Sequence, residues 1–597
     1  MHKISTDVLI VGAGASGLAA TIFLCDLGID TLTIERHPST SHLPKAHYLN
    51  QRTMEIFRHH DAAEDIYSHA APRENLGRIR WMTSLGGDGP LDRIKIAAPP
   101  IMGGGSLRAV YDSKGVTPPT NIPQIRLEPV LRHVAETRRP GCIKFRHALV
   151  ELEQNREAVL ATIKDLESDE LFQVETKYLI SADGGKTIGQ ALGVEMLGEQ
   201  GLGDFFTIWF QADLSRYLDE DDIPMRRIFH PEEPHRIASL LAFGPTKFDR
   251  HSEEWASSFT RGPRMLSSDS SVDASDEELI RQGLDILKID VPVNVKGVSR
   301  WSLETVIAER FSQGRVFLIG DAAHRHPPGA GLGANSGFQD AHNLCWKLAL
   351  VLRGMAAADL MKSYEAERRP VIEENIAWSM NAMTNAFVML AALGVVPGED
   401  ATKTCERFAA MMSDTKIGAS RRAQLEEILG VQRVEYAAHD MEMGFCYNRG
   451  ALVDDGSPTA WRDPMGSDYR PSSRPGCRLP HAWLVQDGEA VSTHDLIPLG
   501  GFLLITGAEG GSWCYAADRL AAETGLTIQS VRVGEGGDVS DPSGAWSAVR
   551  EIEADGALLV RPDGHVAFRA RNCPADPVAA LGSVLEIVLG KGVQCPV

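Results

Sequence analysis

Several features that would assign a function at once are missing from this chain of 597 residues. Its nine cysteines, from Cys25 to Cys595, contain no CxxC pair, which argues against a zinc site and a dithiol motif. Because the set is odd in number and scattered, we expect no disulfide framework and a reducing, cytoplasmic setting. Basic residues are outnumbered, 60 against 80 acidic ones, giving a net charge of −20. That balance argues against nucleic acid or an anionic membrane as a partner.

Long hydrophobic runs are missing as well. The longest, at 386–396, contains Gly394 and is too short to cross a bilayer. The apolar stretch at 8–11 lacks the basic lead and cleavage pattern of a signal peptide. We find no internal repeat and no low-complexity tract. The length, with 43% hydrophobic and 23% charged residues, predicts a globular protein of about three domains.

The N-terminal region has the pattern of a βαβ unit. Residues 7–11 form an apolar run typical of a buried parallel strand, residues 16–27 have helical spacing, and residues 31–34 predict a second strand. Such a unit opens a doubly wound sheet. Between the first strand and the helix stands GAGASG at 12–17, which matches G-x-G-x-x-G.

This glycine turn predicts a bound dinucleotide. Gly12 permits the tight turn, Gly14 lets a pyrophosphate approach the backbone, and Gly17 lets the helix pack close to the strand. The start of the helix offers free N–H groups to the phosphates. An acid at the end of the second strand can accept hydrogen bonds from the adenosine ribose. The predicted contacts of this unit are Gly12, Gly14, Ala15, Ser16, Gly17, Glu35 and Arg36.

A second signature decides which dinucleotide is bound. Residues 320–337 read GDAAHRHPPGAGLGANSG and follow a predicted strand at 316–319. Asp321 can accept hydrogen bonds from a polyhydroxy chain. A helix beginning near Asn335 would direct its positive end at the negative charge of a reduced isoalloxazine. The arrangement favours FAD over NAD.

Taken together, six segments resemble the class A, single-component flavoprotein aromatic hydroxylases, and within them the phenol, 2,4-dichlorophenol and 2-hydroxybiphenyl monooxygenase branch. The resemblance covers nearly the whole chain. It implies tightly bound FAD, transient NADPH or NADH, and O2 used to hydroxylate a phenolic ring, ortho to its hydroxyl, through a flavin C4a-hydroperoxide. The segments are GAGASG at 12–17, PKAHYLNQRTMEIFR at 44–58, NIPQIRLEPVL at 121–131, DGGKT at 183–187, GDAAHRHPP with GLGAN at 320–335, and RPDGHVAFR at 561–569.

The resemblance also implies roles for single residues. Pro328 is expected beside the substrate. Lys45 stands where the family usually has Arg, so a point charge replaces a bidentate fork. Thr187 and Gln190 replace the usual Ser and Arg after the DG motif, which leaves NADPH against NADH open. Further cofactor contacts are implied at Lys45, Arg52, Gln124, Asp183, Asp321, Gly333, Ala334 and Asn335.

His47 is the candidate catalytic base and a substrate contact. A phenol has a pKa of about 10 and an imidazole one of about 6.5, so a nearby histidine suits removal of the phenolic proton near neutrality. The resemblance puts an Asp or His at this position close to the substrate hydroxyl. The alternative is a structural histidine bonded to backbone.

Other candidates are weaker. Trp209 and Phe210 lie on one predicted strand, so one of them faces the ring, and Trp209 is our candidate; core packing is equally open for both. His324 and His326 form an H-x-H pair without a matching acid or Cys cluster, so we predict no metal.

These observations predict an α/β fold. A doubly wound G-x-G-x-x-G domain that binds FAD is interleaved with an α+β substrate domain, mainly antiparallel sheet, and the resemblance implies a thioredoxin-like C-terminal domain that supports a homodimer or higher oligomer. Local patterns predict irregular or β structure at 71–123, an antiparallel meander at 146–180, an acidic serine-rich loop at 266–278, and long helices at 336–353 and 363–393. The expected boundaries are 1–75, 126–196 and 305–440 for the FAD-binding domain, 76–125 and 197–304 for the substrate domain, and 455–597 for the C-terminal domain.

Two other functions stay open. A flavin-dependent halogenase or another FAD oxidoreductase could use the same fold, but the W-x-W-x-I-P segment of such halogenases is not in the sequence. A binding or chaperone-like protein without catalysis would have little use for Asp321 and the GLGAN turn.

Overall fold

The computed structural model describes residues 2–75, 77–219, 225–260 and 274–592. The predicted acidic loop at 266–278 lies outside the described residues up to 273, and its last residues begin a helix, Asp276–Asp285. No helix in the described ranges is long and apolar enough to cross a membrane.

An eight-stranded sheet carries the N-terminal unit. His2–Val11 is central and pairs in parallel with Leu171–Ser181 on one side and Thr31–Glu35 on the other. The antiparallel meander is confirmed, because His147–Gln154 and Val159–Asp165 join the edge of Leu171–Ser181. The main path runs through Ser312–Gln313, Val316–Leu318, Leu171–Ser181, His2–Val11, Thr31–Glu35 and Ile143–Phe145.

Four helices pack together beside this sheet. Ala15–Asp26 contacts both Gln124–Arg138 and Leu332–Leu352, and the long helix Lys362–Ala392 packs against Leu332–Leu352. The helix that we expected to begin near Asn335 begins three residues earlier, at Leu332, after a turn at Gly329–Gly331. The other helices of this part are Gln51–His59, Ala63–Tyr67, Ile188–Ala191, Ala401–Met412, Lys416–Val431, Arg433–Tyr436 and His439–Met443.

A second sheet of seven strands is antiparallel except for one pair. Its helix-covered face packs Ile208 and Phe210 with Leu279 of Asp276–Asp285. The strands in order are Asn294–Ser302, Asp204–Gln211, Glu254–Thr260, Ile237–Gly244, Met225–Phe229, Arg80–Met82 and Lys95–Ala97. Shorter strands join distant segments: Tyr48–Leu49 with Thr120–Asn121, and Met196–Glu199 with Thr305–Ala308 and His324–Arg325.

The segment 71–123 holds more than irregular and β structure, which corrects our expectation. It includes a helix, Arg108–Lys114, too short to show helical periodicity. The helix is held by tertiary packing, since Tyr111 is buried and its ring stacks on His439 with centroids 3.7 Å apart.

The C-terminal region forms a separate four-stranded sheet. Its order is Ile528–Val533, Phe502–Gly507, Ala557–Val560 and Val566–Ala570, with the first pair parallel and the other two antiparallel. Its resemblance to thioredoxin stays a prediction. The remaining elements are the hairpin Trp483–Gln486 and Glu489–Ser492 and the helices Gly511–Thr524, Ala545–Val549 and Pro577–Val588.

One cysteine expectation was wrong. Cys446 and Cys477 form a disulfide, although 31 residues separate them. Their backbones form an isolated bridge, so the pairing is set by tertiary structure and leaves no signal in sequence spacing. The other cysteines of the described ranges are free, and Cys595 lies outside those ranges.

Buried charges join the C-terminal region to the long helices. Glu367 accepts hydrogen bonds from Lys347 Nζ at 2.7 Å and from both terminal nitrogens of Arg561 at 2.8 and 2.9 Å. Arg561 also pairs with Asp563, and the four side chains are almost completely buried. Burial alone would disfavour the charged form, but Arg561 and Lys347 outweigh it and hold the pKa of Glu367 at about 2.

Arg561→Ala is expected to lower the free energy of unfolding by roughly 3–5 kcal/mol, because it leaves two carboxylates buried with one cation. The shift is measured by denaturant titration. Arg519→Ala removes an exposed ion pair with Glu523 and serves as the control, with an unchanged midpoint. Equal shifts in the two variants would contradict this role of Arg561.

Candidate nucleotide and flavin site

The three glycines of the first turn differ in how much room each has for a side chain. A Cβ on Gly12 would overlap the carbonyl oxygen of Ala182, and one on Gly17 would overlap that of Gly12, so both are needed for backbone packing. A Cβ on Gly14 would meet nothing nearer than Glu128 Oε1, at 3.9 Å. The protein's own packing therefore does not require Gly14, whereas close approach of a diphosphate does. The turn fits such a ligand.

Glu35 ends the second strand, as predicted. Ala13 N–H donates to its Oε2 at 2.9 Å and His37 N–H donates to its Oε1 at 2.9 Å. A carboxylate has about four acceptor positions, so two stay available for ribose hydroxyls. Arg36, next to it, is exposed.

The second predicted loop is fixed by a buried carboxylate. Asp340 Oδ2 accepts the Gly320 N–H at 3.1 Å and lies 2.6 Å from His324 Nε2, while its Oδ1 accepts Arg368 Nε at 2.8 Å. Burial opposes ionisation, but His324 and Arg368 outweigh it and hold the pKa of Asp340 at about 2. The anchored turn leaves the side chain of Asp321 exposed, which suits contact with a ribityl chain.

The H-x-H pair is used inside the protein. His326 Nε2 lies 2.9 Å from His324 Nδ1, and His324 Nε2 is bonded to Asp340. Across the described ranges, no group of three or more His, Cys, Asp or Glu side chains is placed to hold a metal.

The two glycine loops meet at Ser16. A Cβ on Gly320 or on Gly337 would overlap the Ser16 side chain. The helix Leu332–Leu352 therefore packs directly on the start of Ala15–Asp26. The structure thus brings together the two signatures that lie 300 residues apart in the sequence.

The start of Leu332–Leu352 leaves backbone donors for a ligand. Ala330 and Gly331 have positive φ values, 58° and 66°, and turn the chain into the helix. Gly333 and Ala334 lie in its first turn, where N–H groups have no acceptor within the helix. The side chain of Asn335 is used elsewhere: it accepts Asn50 N–H and donates to the Tyr48 carbonyl, each at 3.0 Å. Only backbone groups of this turn suit the predicted flavin contact.

The segment that we expected to wrap the cofactor lies close to the start of the helix Gln124–Arg138. Lys45 is exposed, and Gln124 N–H donates to the Ala46 carbonyl at 2.8 Å. The side chain of Gln124 donates to Glu128 Oε1 at 2.6 Å. A backbone hydrogen bond thus joins the segment of Lys45 to that of Gln124, and the contacts of both residues with the cofactor stay predictions.

Arg52 and Asp183 need correction. Arg52 is buried and donates to the Asp563 carbonyl and to Glu55, so its guanidinium links to the C-terminal region instead of facing a cofactor. Asp183 accepts four local hydrogen bonds, from Ser181 Oγ and from the N–H groups of Gly185, Thr187 and Ile188. These hydrogen bonds use its acceptor capacity and order the loop, so a contact of its side chain with the cofactor stays a prediction.

His47 is half-buried and has a specific polar partner. Its Nδ1 lies 3.1 Å from Asn121 Oδ1, so Nδ1–H donates and Nε2 is left as the acceptor. Burial lowers the pKa of His47 to about 4; the bond to Asn121 opposes this, and the charge of Arg227 adds to it. The ring is therefore neutral at pH 7 and a weaker base than we expected.

Asn121 also lines an apolar cleft. Ile101, Met225 and Leu241 form its walls, on the face of the seven-stranded sheet opposite the helix-covered face. Arg227 lies on the same strand as Met225 and donates to Ser239 Oγ at 2.9 Å and Glu435 Oε1 at 2.8 Å. The cleft thus combines apolar walls with the polar side chains of Asn121, which is bonded to the neutral His47, and of Arg78.

Trp209 and Phe210 point to opposite faces of the sheet, as strand alternation requires. Phe210 is fully buried in the helix-covered core. Trp209 packs with the cleft-side cluster, and its Nε1 donates to Glu254 Oε2 at 2.9 Å. Pro328 is exposed and is not among the residues that line the cleft. The substrate roles of Trp209 and Pro328 stay predictions.

Sequence reasoning missed Asn121, Arg227 and Glu128. Asn121 and Glu128 stand inside the NIPQIRLEPVL run, so their segment was recognised but not their roles. Arg227 lies on Met225–Phe229, a strand that contains no motif, and its closeness to His47 depends on the tertiary structure.

Comparison with known proteins agrees with this geometry. Residues 5–379 match the FAD binding domain family, and residues 472–592 match the aromatic-ring hydroxylase C-terminal family. The chain is 33% identical to 2,4-dichlorophenol 6-monooxygenase of Delftia acidovorans, over 98% of each chain. It is also 33% identical to phenol 2-monooxygenase of Pseudomonas sp. (strain EST1001), over 98% of this chain and 93% of the relative.

A solved structure shows the same fold along the whole chain. The flavin-dependent monooxygenase PieE, in complex with FAD and substrate, is 34% identical and superposes with a TM-score of 0.89, over 99% of this chain and 100% of that one. The predicted α/β class and the FAD cofactor are confirmed. The chain belongs to the family of FAD-binding aromatic-ring hydroxylases.

Proposed function

We propose that the protein is a monooxygenase that uses NADPH or NADH and O2 to hydroxylate a phenolic ring, ortho to its hydroxyl. The observation that carries the proposal is the neutral His47, whose hydrogen-bond partner Asn121 lines an apolar cleft. The relatives named for phenol and dichlorophenol support the substrate class. Bound FAD, reduced by the nicotinamide, supplies the activated oxygen.

The FAD-holding residues are those whose geometry leaves them open to a ligand. Gly14 and the start of Ala15–Asp26 would receive the diphosphate, and Glu35 the adenosine ribose. Asp321 would contact the ribityl chain. The first turn of Leu332–Leu352 would offer N–H groups to the flavin ring.

His47 would act mainly as a hydrogen-bond acceptor. Asn121 fixes the tautomer, so His47 Nε2 can accept the phenolic O–H. With a pKa of about 4, the ring cannot hold the proton of a phenol whose pKa is about 10. The charge of Arg227, which lowers the pKa of His47, also favours a phenolate at the same place. The two residues together would raise the electron density of the ring.

The apolar walls would hold the ring and exclude water. The side chains of Ile101, Met225 and Leu241 are aliphatic and offer hydrophobic contact without hydrogen-bonding groups.

A homodimer or higher oligomer, a cytoplasmic location and the proposed domain boundaries remain predictions that accompany this function.

Gly14→Ala should fold normally and lose at least about tenfold in FAD affinity, the equivalent of roughly 1.4 kcal/mol, because its methyl group fills the approach to the helix start. FAD content and affinity are measured by flavin fluorescence on full-length protein. Gly430→Ala is the control, since a Cβ there has no neighbour within 4 Å. Unchanged affinity in Gly14→Ala would contradict the assigned diphosphate position.

His47→Ala should keep FAD and lose hydroxylated product by about tenfold or more, because the phenolic O–H loses its hydrogen-bond acceptor. Product and NAD(P)H oxidation are measured together over a panel of substituted phenols. His69→Ala, an exposed histidine, is the control. Near-normal hydroxylation at pH 7 in His47→Ala would remove the proposed role, and a chloride-dependent product would favour a halogenase.

The pH profile of kcat/KM should show no histidine limb near pH 6.5. His47 has a lowered pKa, so its neutral form persists from high pH down to about 4, and activity is lost only as the pH falls through that value. Asn121→Leu removes the bond that raises the pKa of His47, so it should lower this limb further and reduce kcat. A limb at pH 6–7 in the unaltered holoenzyme would contradict the assignment.

A further inference from the structure

Glu128 lies close to the start of the helix Ala15–Asp26, where the diphosphate is expected. It belongs to Gln124–Arg138 and is 2% exposed. Its Oε2 accepts Ser41 N–H at 2.7 Å, and its Oε1 accepts Gln124 Nε2 at 2.6 Å. The Ala15 N–H is a further donor to this carboxyl group. Its Oε1 is also the atom nearest to the open side of Gly14.

The diphosphate is expected at the same place. The geometry of Gly14 leaves room for it at the start of Ala15–Asp26, next to Glu128. A diphosphate brings two negative charges, and a carboxylate beside them is disfavoured by like-charge repulsion. The conflict can be removed only if Glu128 moves away or becomes neutral.

Movement away is opposed by the contacts of Glu128. The carboxyl group is bonded to two other segments, through Ser41 and Ala15, and to Gln124 on its own helix. The Ser41 contact also holds the beginning of the segment that leads to Lys45. A neutral carboxyl group can keep accepting these hydrogen bonds and gains an O–H donor.

The surroundings of Glu128 favour its protonation over its movement. Burial raises the pKa of Glu128, and this outweighs its neutral donors Gln124, Ser41 and Ala15. Lys45 is the cation that acts on it, and this side chain is exposed, so water and salt screen its charge.

We propose that Glu128 carries a proton when the diphosphate of FAD is bound, so that FAD binding takes up one proton from solvent at this residue. No covalent bond to FAD forms or breaks. The solvent proton joins a carboxylate oxygen of Glu128 and can be shared with a phosphate oxygen. The inference rests on the proposed FAD site.

The linkage has a definite sign. Below the pKa of Glu128 in the FAD-free protein, the group is already protonated and FAD affinity does not depend on pH. Above it, a proton must be taken up, and affinity falls by up to about tenfold per pH unit until the higher pKa of the bound state is passed.

The test is FAD titration of the full-length apoprotein between pH 5 and 9. Affinity is measured by flavin fluorescence, and proton uptake by calorimetry in two buffers with different ionisation enthalpies. The unaltered protein should take up as much as one proton and lose affinity as pH rises. Glu128→Gln, a neutral isostere, should show neither effect and bind FAD at least as tightly at high pH. Glu136 lies about two turns further along the same helix, so Glu136→Gln is the control and should behave as the unaltered protein.

The outcomes separate this inference from the proposed function. Binding of FAD without proton uptake, or an unchanged pH dependence in Glu128→Gln, would overturn the role of Glu128 and leave the FAD site intact. An unaltered protein that does not bind FAD would overturn the site itself. If Glu128→Gln does not fold, the infrared difference spectrum of FAD binding to the unaltered protein decides: a gained carboxylic-acid carbonyl band supports the proposal, and its absence contradicts it.

Discussion

The site depends on one close backbone contact, between Gly12 and the end of the neighbouring strand. A side chain on Gly12 would overlap the Ala182 carbonyl, so the carboxyl ends of His2–Val11 and Leu171–Ser181 can meet only with glycine there. Val316–Leu318 joins the same edge and delivers Gly320, which packs on Ser16. Because the carboxyl ends of parallel strands lie at one edge of a sheet, the loops that follow these three strands meet at one place.

A feature could be predicted from the sequence when the residues that form it are close together in the chain. The G-x-G-x-x-G turn and the GDAAHRHPP loop were predictable, because their geometry is encoded within a few consecutive residues. Arg52 and Cys446 were not, since their partners Asp563 and Cys477 come from the C-terminal region. The helix Arg108–Lys114 was missed for the same reason: its stability comes from packing on a distant element.

His47 shows the limit of residue type as a guide to chemistry. The family resemblance singled out a histidine, but its basicity depends on burial and on Arg227, which comes from another sheet. The structure favours hydrogen bonding by a neutral His47 ring near the charge of Arg227 over proton removal by an imidazole of ordinary basicity. Asn121 is the residue that makes this possible, because it fixes which nitrogen is free.

Buried ion pairs connect the C-terminal region to the loop that begins at Gly320. Arg561 binds Glu367, and the next residue of that helix, Arg368, binds Asp340. Asp340 in turn holds Gly320 N–H, which orients Asp321. The side chains of Arg561, Glu367, Arg368 and Asp340 are buried, so removing one leaves another without a partner in a medium of low polarity. A change in the C-terminal sheet can therefore reach the loop that begins at Gly320 through these charge pairs and the helix Lys362–Ala392 that carries them.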